Sequence, residues 1–150
     1  MTTWLNTPIQ MQFRVIDGLT VRFAQSGDRD DHALLLSPWP ESLLAFEPMW
    51  ARLAEHAHLV AIDLPGFGHS QRRDGLLSPR AMGEFIITAA DAFGLASPHI
   101  VGPDIGTAAA LFAAAAQPGR RQRRGGGPAP AGLAAERLGA SAGSGSVPPR

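Results

Sequence analysis

The sequence predicts an α/β fold, in which an antiparallel hairpin leads into parallel strands joined by crossover helices. Three observations carry this reading. Two alternating apolar stretches, Phe13 and Val15, then Leu19, Val21 and Phe23, meet at Asp17 and Gly18, a pair suited to a two-residue hairpin turn. Three short apolar runs, "ALLLS", "HLVAIDL" and "HIVG", have the continuous character of strands buried on both faces. Segments of helical spacing separate or follow them, and strands alternating with helices imply right-handed crossovers behind the hairpin.

The first buried strand, Ala33 to Ser37, stops at the breaker "PWP", and a loop is expected there. Pro48 to His56 reads as a helix, with Trp50, Leu53 and Ala54 at helical spacing and Pro48 tolerated in the first turn. "HLVAIDL" ends at Pro65 and Gly66, before a loop through "GFGHSQRRDG". The next helix carries the fullest signals. Ser78 is its N-cap, Pro79 its first residue and Gly94 its stop, and its apolar face runs Met82, Phe85, Ile86, Ala89, Ala90, Phe93. After "HIVG", the Ala-rich "IGTAAALFAAAAQ" forms a helix ended by Pro118.

With 150 residues and an apolar content of 45%, the chain has the material of one globular domain. It has no cysteine, which removes disulfides and thiolate metal sites and suits a reducing compartment. The start "MTTWLNTPIQMQ" lacks a basic-then-apolar leader and no apolar run is long enough to cross a bilayer, so a cytoplasmic protein without membrane contact is expected. Residues 1–117 hold 12 acids against 7 arginines, net −5, whereas residues 118–150 hold 6 arginines against Glu136, net +5. In that tail, 25 of 33 residues are Gly, Ala, Pro or Arg, too little apolar surface to offset the entropy of ordering. The expected organisation is one domain over 1–117 followed by a disordered tail over 118–150.

Ligands of open parallel sheets collect beyond the carboxyl ends of strands, where three unusual loops fall: "SPWPES", "DLPGFGHS" and "GPDIGT". In the third, a Gly, any residue, nucleophile, any residue, Gly pattern at a strand-to-helix turn makes a nucleophile elbow, whose small flanking residues permit the sharp bend that lifts the central side chain. The central residue is Asp104, beside a helix amino terminus that favours its ionised form. The ordered set of hairpin, strand, "SPWP", helix, "DLPGFGHS", helix and "GPDIGT" over residues 10 to about 119 resembles the amino-terminal half of an α/β-hydrolase. The resemblance is to the branch with an aspartate nucleophile, which includes haloalkane and haloacetate dehalogenases and epoxide hydrolases. It implies that Asp104 is the nucleophile, that the backbone N–H groups of Trp39 and Ile105 line the oxyanion hole, and that the substrate is a small molecule with an ester, epoxide or carbon–halogen bond. No cofactor or metal is implied.

An aspartate is already ionised at neutral pH and needs no base for the first attack. Resolving the resulting ester needs a water activated by a base, which in the family is a histidine supported by an acid, both after the nucleophile. The five histidines here, His32, His56, His58, His69 and His99, all precede Asp104. His58 and His99 belong to the far ends of their strands, and His32 and His56 read as surface residues. His69, in the loop after "PGFG", is the one plausible improvised base.

The oxyanion loop departs from the family's usual His-Gly start, with Ser37 and Pro38 in its place. Ile105 stands where haloalkane dehalogenases usually carry a halide-binding Trp. The Trp39 indole is either a substitute for that group or a packed lid over the core. Asp63 reads as an acceptor anchoring its loop rather than as a catalytic acid.

The abrupt change to "RRQRRGGGPAPAG", together with the absence of Lys, suggests a GC-rich gene whose reading frame shifts near residues 119–121, leaving the chain inactive or limited to one turnover. A sheet stopped at "HIVG" has a bare edge, which invites self-association. A competing reading is a nucleic-acid-binding protein using "GRRQRRGGG". It lacks interleaved aromatics and sits on an acidic domain, so nucleic acid is not the expected partner. A nucleotide site is weaker still, since no complete Gly-x-Gly-x-x-Gly occurs.

Overall fold

The computed structural model describes residues 8–117, and the tail expected over 118–150 lies outside the described residues. Within them are strands β1 (Met11–Ile16), β2 (Leu19–Ser26), β3 (His32–Leu36), β4 (His58–Ile62) and β5 (His99–Val101). They form one sheet in the order β1-β2-β4-β3-β5. Helices α1 (Glu47–Ala54), α2 (Pro79–Ala92) and α3 (Ile105–Ala116) join or follow the parallel strands.

Ile16 pairs with Leu19, so Asp17 and Gly18 alone make the first turn, at φ 48° and 72°. Two successive positive φ values match the right-handed twist of a hairpin, which is why this dipeptide serves. β2 runs antiparallel to β4, while β3 is parallel to both β4 and β5.

Alternation along β3 and β4 feeds two cores, one on each face. Leu34, Leu36, Val60 and Ile62 pack with Met82, Phe85 and Ile86 of α2 and with Ala109 and Ala113 of α3. Leu35, Leu59 and Ala61 pack with Trp50 of α1. Helices on both faces explain the unbroken apolar letters of these two strands. α2 begins as its sequence predicts, with Ser78 Oγ accepting the Ala81 N–H at 3.2 Å. It crosses α3 closely at Gly83, where a Cβ would come within 2.8 Å of Phe112 Cβ and 2.9 Å of the Ala109 oxygen.

Two expectations are corrected. The segment after "PWP" is not simply loop: Leu43–Phe46 form a 3-10 turn capped by Ser42 that runs straight into α1, and α1 ends at Ala54 rather than His56. Leu43 and Phe46, three apart, both enter the core, so burial holds a turn that propensity alone did not signal. "HIVG" is not a buried strand either. His99 and Val101 are exposed and Ile100 is half-buried, because β5 is the last strand of the sheet and only β3 flanks it among the described residues.

Candidate active site

β5 ends at Val101, α3 starts at Ile105, and the bend between them is made by Gly102, Pro103 and Asp104. Both glycines of "GPDIG" are explained by contact. A Cβ on Gly102 would sit 2.5 Å from the Gly106 oxygen, and one on Gly106 would press to 3.2 Å of Leu36 Cβ at the end of β3. Pro103 O accepts the Gly106 N–H and Asp104 O the Thr107 N–H, each at 3.0 Å, while Thr107 Oγ donates back to Gly102 O at 2.6 Å. Asp104 itself has φ 52° and ψ −121°, a conformation that a residue with a side chain rarely adopts. Strain of this kind is of order 1–3 kcal/mol and collects at functional sites. The Asp104 side chain is exposed, at the mouth of the twelve-residue helix α3.

The Trp39 backbone N–H donates to Asp104 Oδ2 at 3.2 Å, across 65 positions of sequence. The Ile105 N–H opens α3 and donates to no group among the described residues. The three residues named from the sequence, Trp39, Asp104 and Ile105, therefore meet at one end of the sheet. The Trp39 side chain is 61% exposed, so it is not a lid packed over the core. With Pro38 and Pro40 on either side, the backbone N–H points inward while the indole is left outside.

Behind Trp39 lies a buried polar cluster. The Asp63 carboxylate, fully buried, accepts from Leu43 N at 2.7 Å through Oδ1, and from Arg22 Nε at 2.6 Å and His69 N at 2.9 Å through Oδ2. Ser70 Oγ donates to Asp63 O and accepts from Arg22 N, and Ser37 Oγ accepts from Leu64 N at 3.0 Å. Gly68 is required here because its Cβ would land on the Asp63 carboxylate. Asp63 thus anchors its loop, as its position before "PGFG" suggests. The sequence reading missed its partner Arg22, although one signal was present: an arginine inside the apolar run "VRFA" has to find a counter-charge when the strand is buried.

The imidazoles stand apart from the elbow. His58 and His99 open β4 and β5, at the opposite ends of those strands. His58 Nδ1 lies 2.7 Å from Gly27 O. His32 is more than a surface residue: half-buried, its ring meets His58 edge-on at 5.5 Å. His56 is exposed. His69 is exposed in the "PGFGHS" loop and its N–H is held by Asp63; no imidazole hydrogen-bonds to Asp104 among the described residues. No cluster of three or more His, Asp or Glu suited to a metal occurs among the described residues, and none of their helices is long and apolar enough to cross a membrane.

Apolar hollows flank the elbow on both faces. One of about 230 Å3 lies between Leu64, Phe67, Leu77, Met82, Ile105 and Ala109. The other is bordered by Pro38, Phe46, Met49, Val101 and Pro103.

Comparison with known proteins agrees with this geometry. Over 109 residues the chain is 30% identical to the dihydrolipoyllysine-residue acetyltransferase component of the acetoin cleaving system of Cupriavidus necator, a match spanning 73% of this chain and 29% of that protein. Among solved structures, a loop variant of the haloalkane dehalogenase DbeA from Bradyrhizobium elkanii matches at 30% identity and TM-score 0.66, over 73% of this chain and 37% of the dehalogenase. The epoxide hydrolase CorEH shares the fold at TM-score 0.66 and 24% identity, over 71% of this chain and 38% of that one. The chain therefore spans well under half the length of each. Residues 33–121 match the profile of the alpha/beta hydrolase fold, and on this match, with the elbow in place, the chain belongs to the α/β-hydrolase fold family.

Proposed function

We propose that Asp104 is a carboxylate nucleophile acting on a small, largely apolar molecule with an ester, epoxide or carbon–halogen bond. The observation that carries this reading is the Trp39 N–H held 3.2 Å from Oδ2 of an aspartate at positive φ on a strand-to-helix bend. With Oδ2 occupied by that donor, Oδ1 is the oxygen left to attack. Attack on a saturated carbon forms an Oδ1–C bond as the carbon–halogen or epoxide C–O bond breaks. The halide or alkoxide leaves with the electron pair, and the alkoxide takes its proton from water. Oδ2 becomes the carbonyl oxygen of an alkyl ester, already facing a donor. When water later attacks that ester, negative charge grows on Oδ2, and the N–H groups of Trp39 and Ile105 are the oxyanion donors that stabilise it. The apolar hollows beside Ile105 and Pro103 suit an apolar electrophile.

Completing turnover requires a base for that water. In the 150-residue polypeptide no histidine follows Asp104. We therefore expect this polypeptide to stop at the ester, one adduct per chain. Intact-mass spectrometry after treatment with a reactive epoxide or haloacid should show a single stoichiometric adduct, absent from Asp104→Asn. Release of many product equivalents would overturn the single-turnover reading, and an adduct that persists in Asp104→Asn would overturn the nucleophile. The division into a hydrolase unit over 1–117 and a separate tail belongs to the same proposal, as do self-association through the exposed β5 edge and the absence of a nucleic-acid role for the tail. Retention on single-stranded DNA that weakens with salt would count against the last.

A further inference from the structure

We infer that Asp63 is a positioning residue: its buried carboxylate fixes the loop between β3 and α1 so that the Trp39 N–H meets Asp104 Oδ2. The Trp39 segment is pinned at two points. At its start, Ser37 N donates to Ile62 O and Ser37 Oγ accepts from Leu64 N, each at 3.0 Å. At its end, Leu43 N donates to Asp63 Oδ1 at 2.7 Å. Between the pins lie five residues, two of them prolines whose φ is fixed by the ring. The start pin uses neutral groups of β4 and its loop. The end pin uses a carboxylate whose other oxygen is held by the Arg22 guanidinium and the His69 N–H. Removing one acceptor from Asp63 therefore frees the Leu43 end and lets the Trp39 N–H drift from Oδ2. Asn at 63 does this with little change of shape, because its NH2 cannot accept from Leu43 N while its oxygen serves Arg22 and His69.

The chemical meaning of this inference rests on Asp104 being the nucleophile, but its geometry does not. The first measurement is therefore a double-mutant cycle read by the chemical shift of the Trp39 amide proton. In the native background, Asp104→Asn should move that resonance, since the charged acceptor is gone. In the Asp63→Asn background the same replacement should move it by less than half as much, while in a Gly94→Ala background, strained at the C-terminal end of α2, it should move in full. An undiminished effect in Asp63→Asn overturns the inference. If Asp63→Asn does not fold, the Asp63→Asn/Arg22→Met pair leaves no orphaned guanidinium and takes its place in the cycle.

The second measurement uses the alkyl ester formed on Asp104 by a reactive epoxide. Hydroxylamine attacks the ester carbon, charge develops on Oδ2, the C–O bond breaks, and the amine proton passes to the departing alcohol, leaving a hydroxamate. This cleavage should be about tenfold slower in Asp63→Asn, less than the loss of a whole oxyanion donor. An equal rate overturns the positioning role. If the native protein forms no ester, the nucleophile reading fails, and the amide-shift cycle still decides the role of Asp63.

Discussion

The two strands beside β3 make the same kind of parallel ladder with it, yet they sit in opposite circumstances. β4 is buried over four of its five residues and ends in a carboxylate with three donors. β5 has three residues, two of them exposed, and the helix that follows leaves Leu111 67% and Phe112 46% exposed. The candidate site straddles this divide. The backbone donor, Trp39, hangs from the well-anchored side, and Asp104, the proposed nucleophile, stands on the lightly covered side. An elbow of this kind is held less by hydrophobic cover than by close backbone contact, through Gly102 against Gly106, Gly106 against Leu36, and Gly83 against α3.

Asp63→Ala should break the anchored side and have the largest effect. It leaves the Arg22 guanidinium, 6% exposed, without its counter-charge and the Leu43 and His69 N–H groups without acceptors. Removing one partner of a buried pair costs roughly 3–5 kcal/mol, an amount comparable with the whole stability of a small domain. Urea unfolding followed by circular dichroism should show the midpoint collapsing or the native baseline disappearing. On the other side, Gly102→Ala forces a Cβ against backbone that has no side chain to move aside. Overpacking of this kind costs about 1–3 kcal/mol. The elbow should also lose its adduct-forming rate faster than the protein loses stability, a separation that intact-mass time courses beside the urea midpoint will reveal.

The same divide governs what was legible in the sequence. The hairpin was readable because Asp17-Gly18 demands one turn type, and α2 because Ser78, Pro79 and Gly94 are local signals that act wherever the chain goes. The elbow was readable because its glycines answer a steric need of the bend itself. Burial was harder to read. "HIVG" has the letters of an inner strand, but whether β5 is covered depends on what stands beyond it, which no local pattern encodes. The 3-10 turn at Leu43–Phe46 escaped for a related reason: it is held by packing on β3 and β4 and by Asp63, all distant in sequence. Of the candidate site, the meeting of Asp104 with the Trp39 loop was legible, whereas the Arg22–Asp63 pair behind that loop joins residues 41 apart and needed the register of the sheet.

Smaller perturbations test whether the contrast is one of packing alone. Gly94 follows α2 at φ 69°, and Gly94→Ala puts a Cβ into that left-handed conformation at a cost of about 1 kcal/mol. The urea midpoint should fall accordingly while the adduct on Asp104 forms at the native rate, because Gly94 lies at the end of α2 away from Ser78 and Met82, which border the hollow beside Ile105.

The smallest effect on stability belongs to β5. Val101 is 44% exposed on the outer strand, so Val101→Lys removes little buried surface and should shift the unfolding free energy by no more than about 0.5 kcal/mol. Its effect on association should be of another order. An open strand edge presents unpaired N–H and C=O groups to a second chain, and a lysine on that edge opposes pairing by charge and by the desolvation of its ammonium. Sedimentation velocity over a range of protein concentrations should show the native polypeptide shifting to larger species and Val101→Lys remaining small. If both sediment alike, β5 is exposed but not adhesive, and the contrast between the two flanks of β3 is one of cover without consequence for assembly.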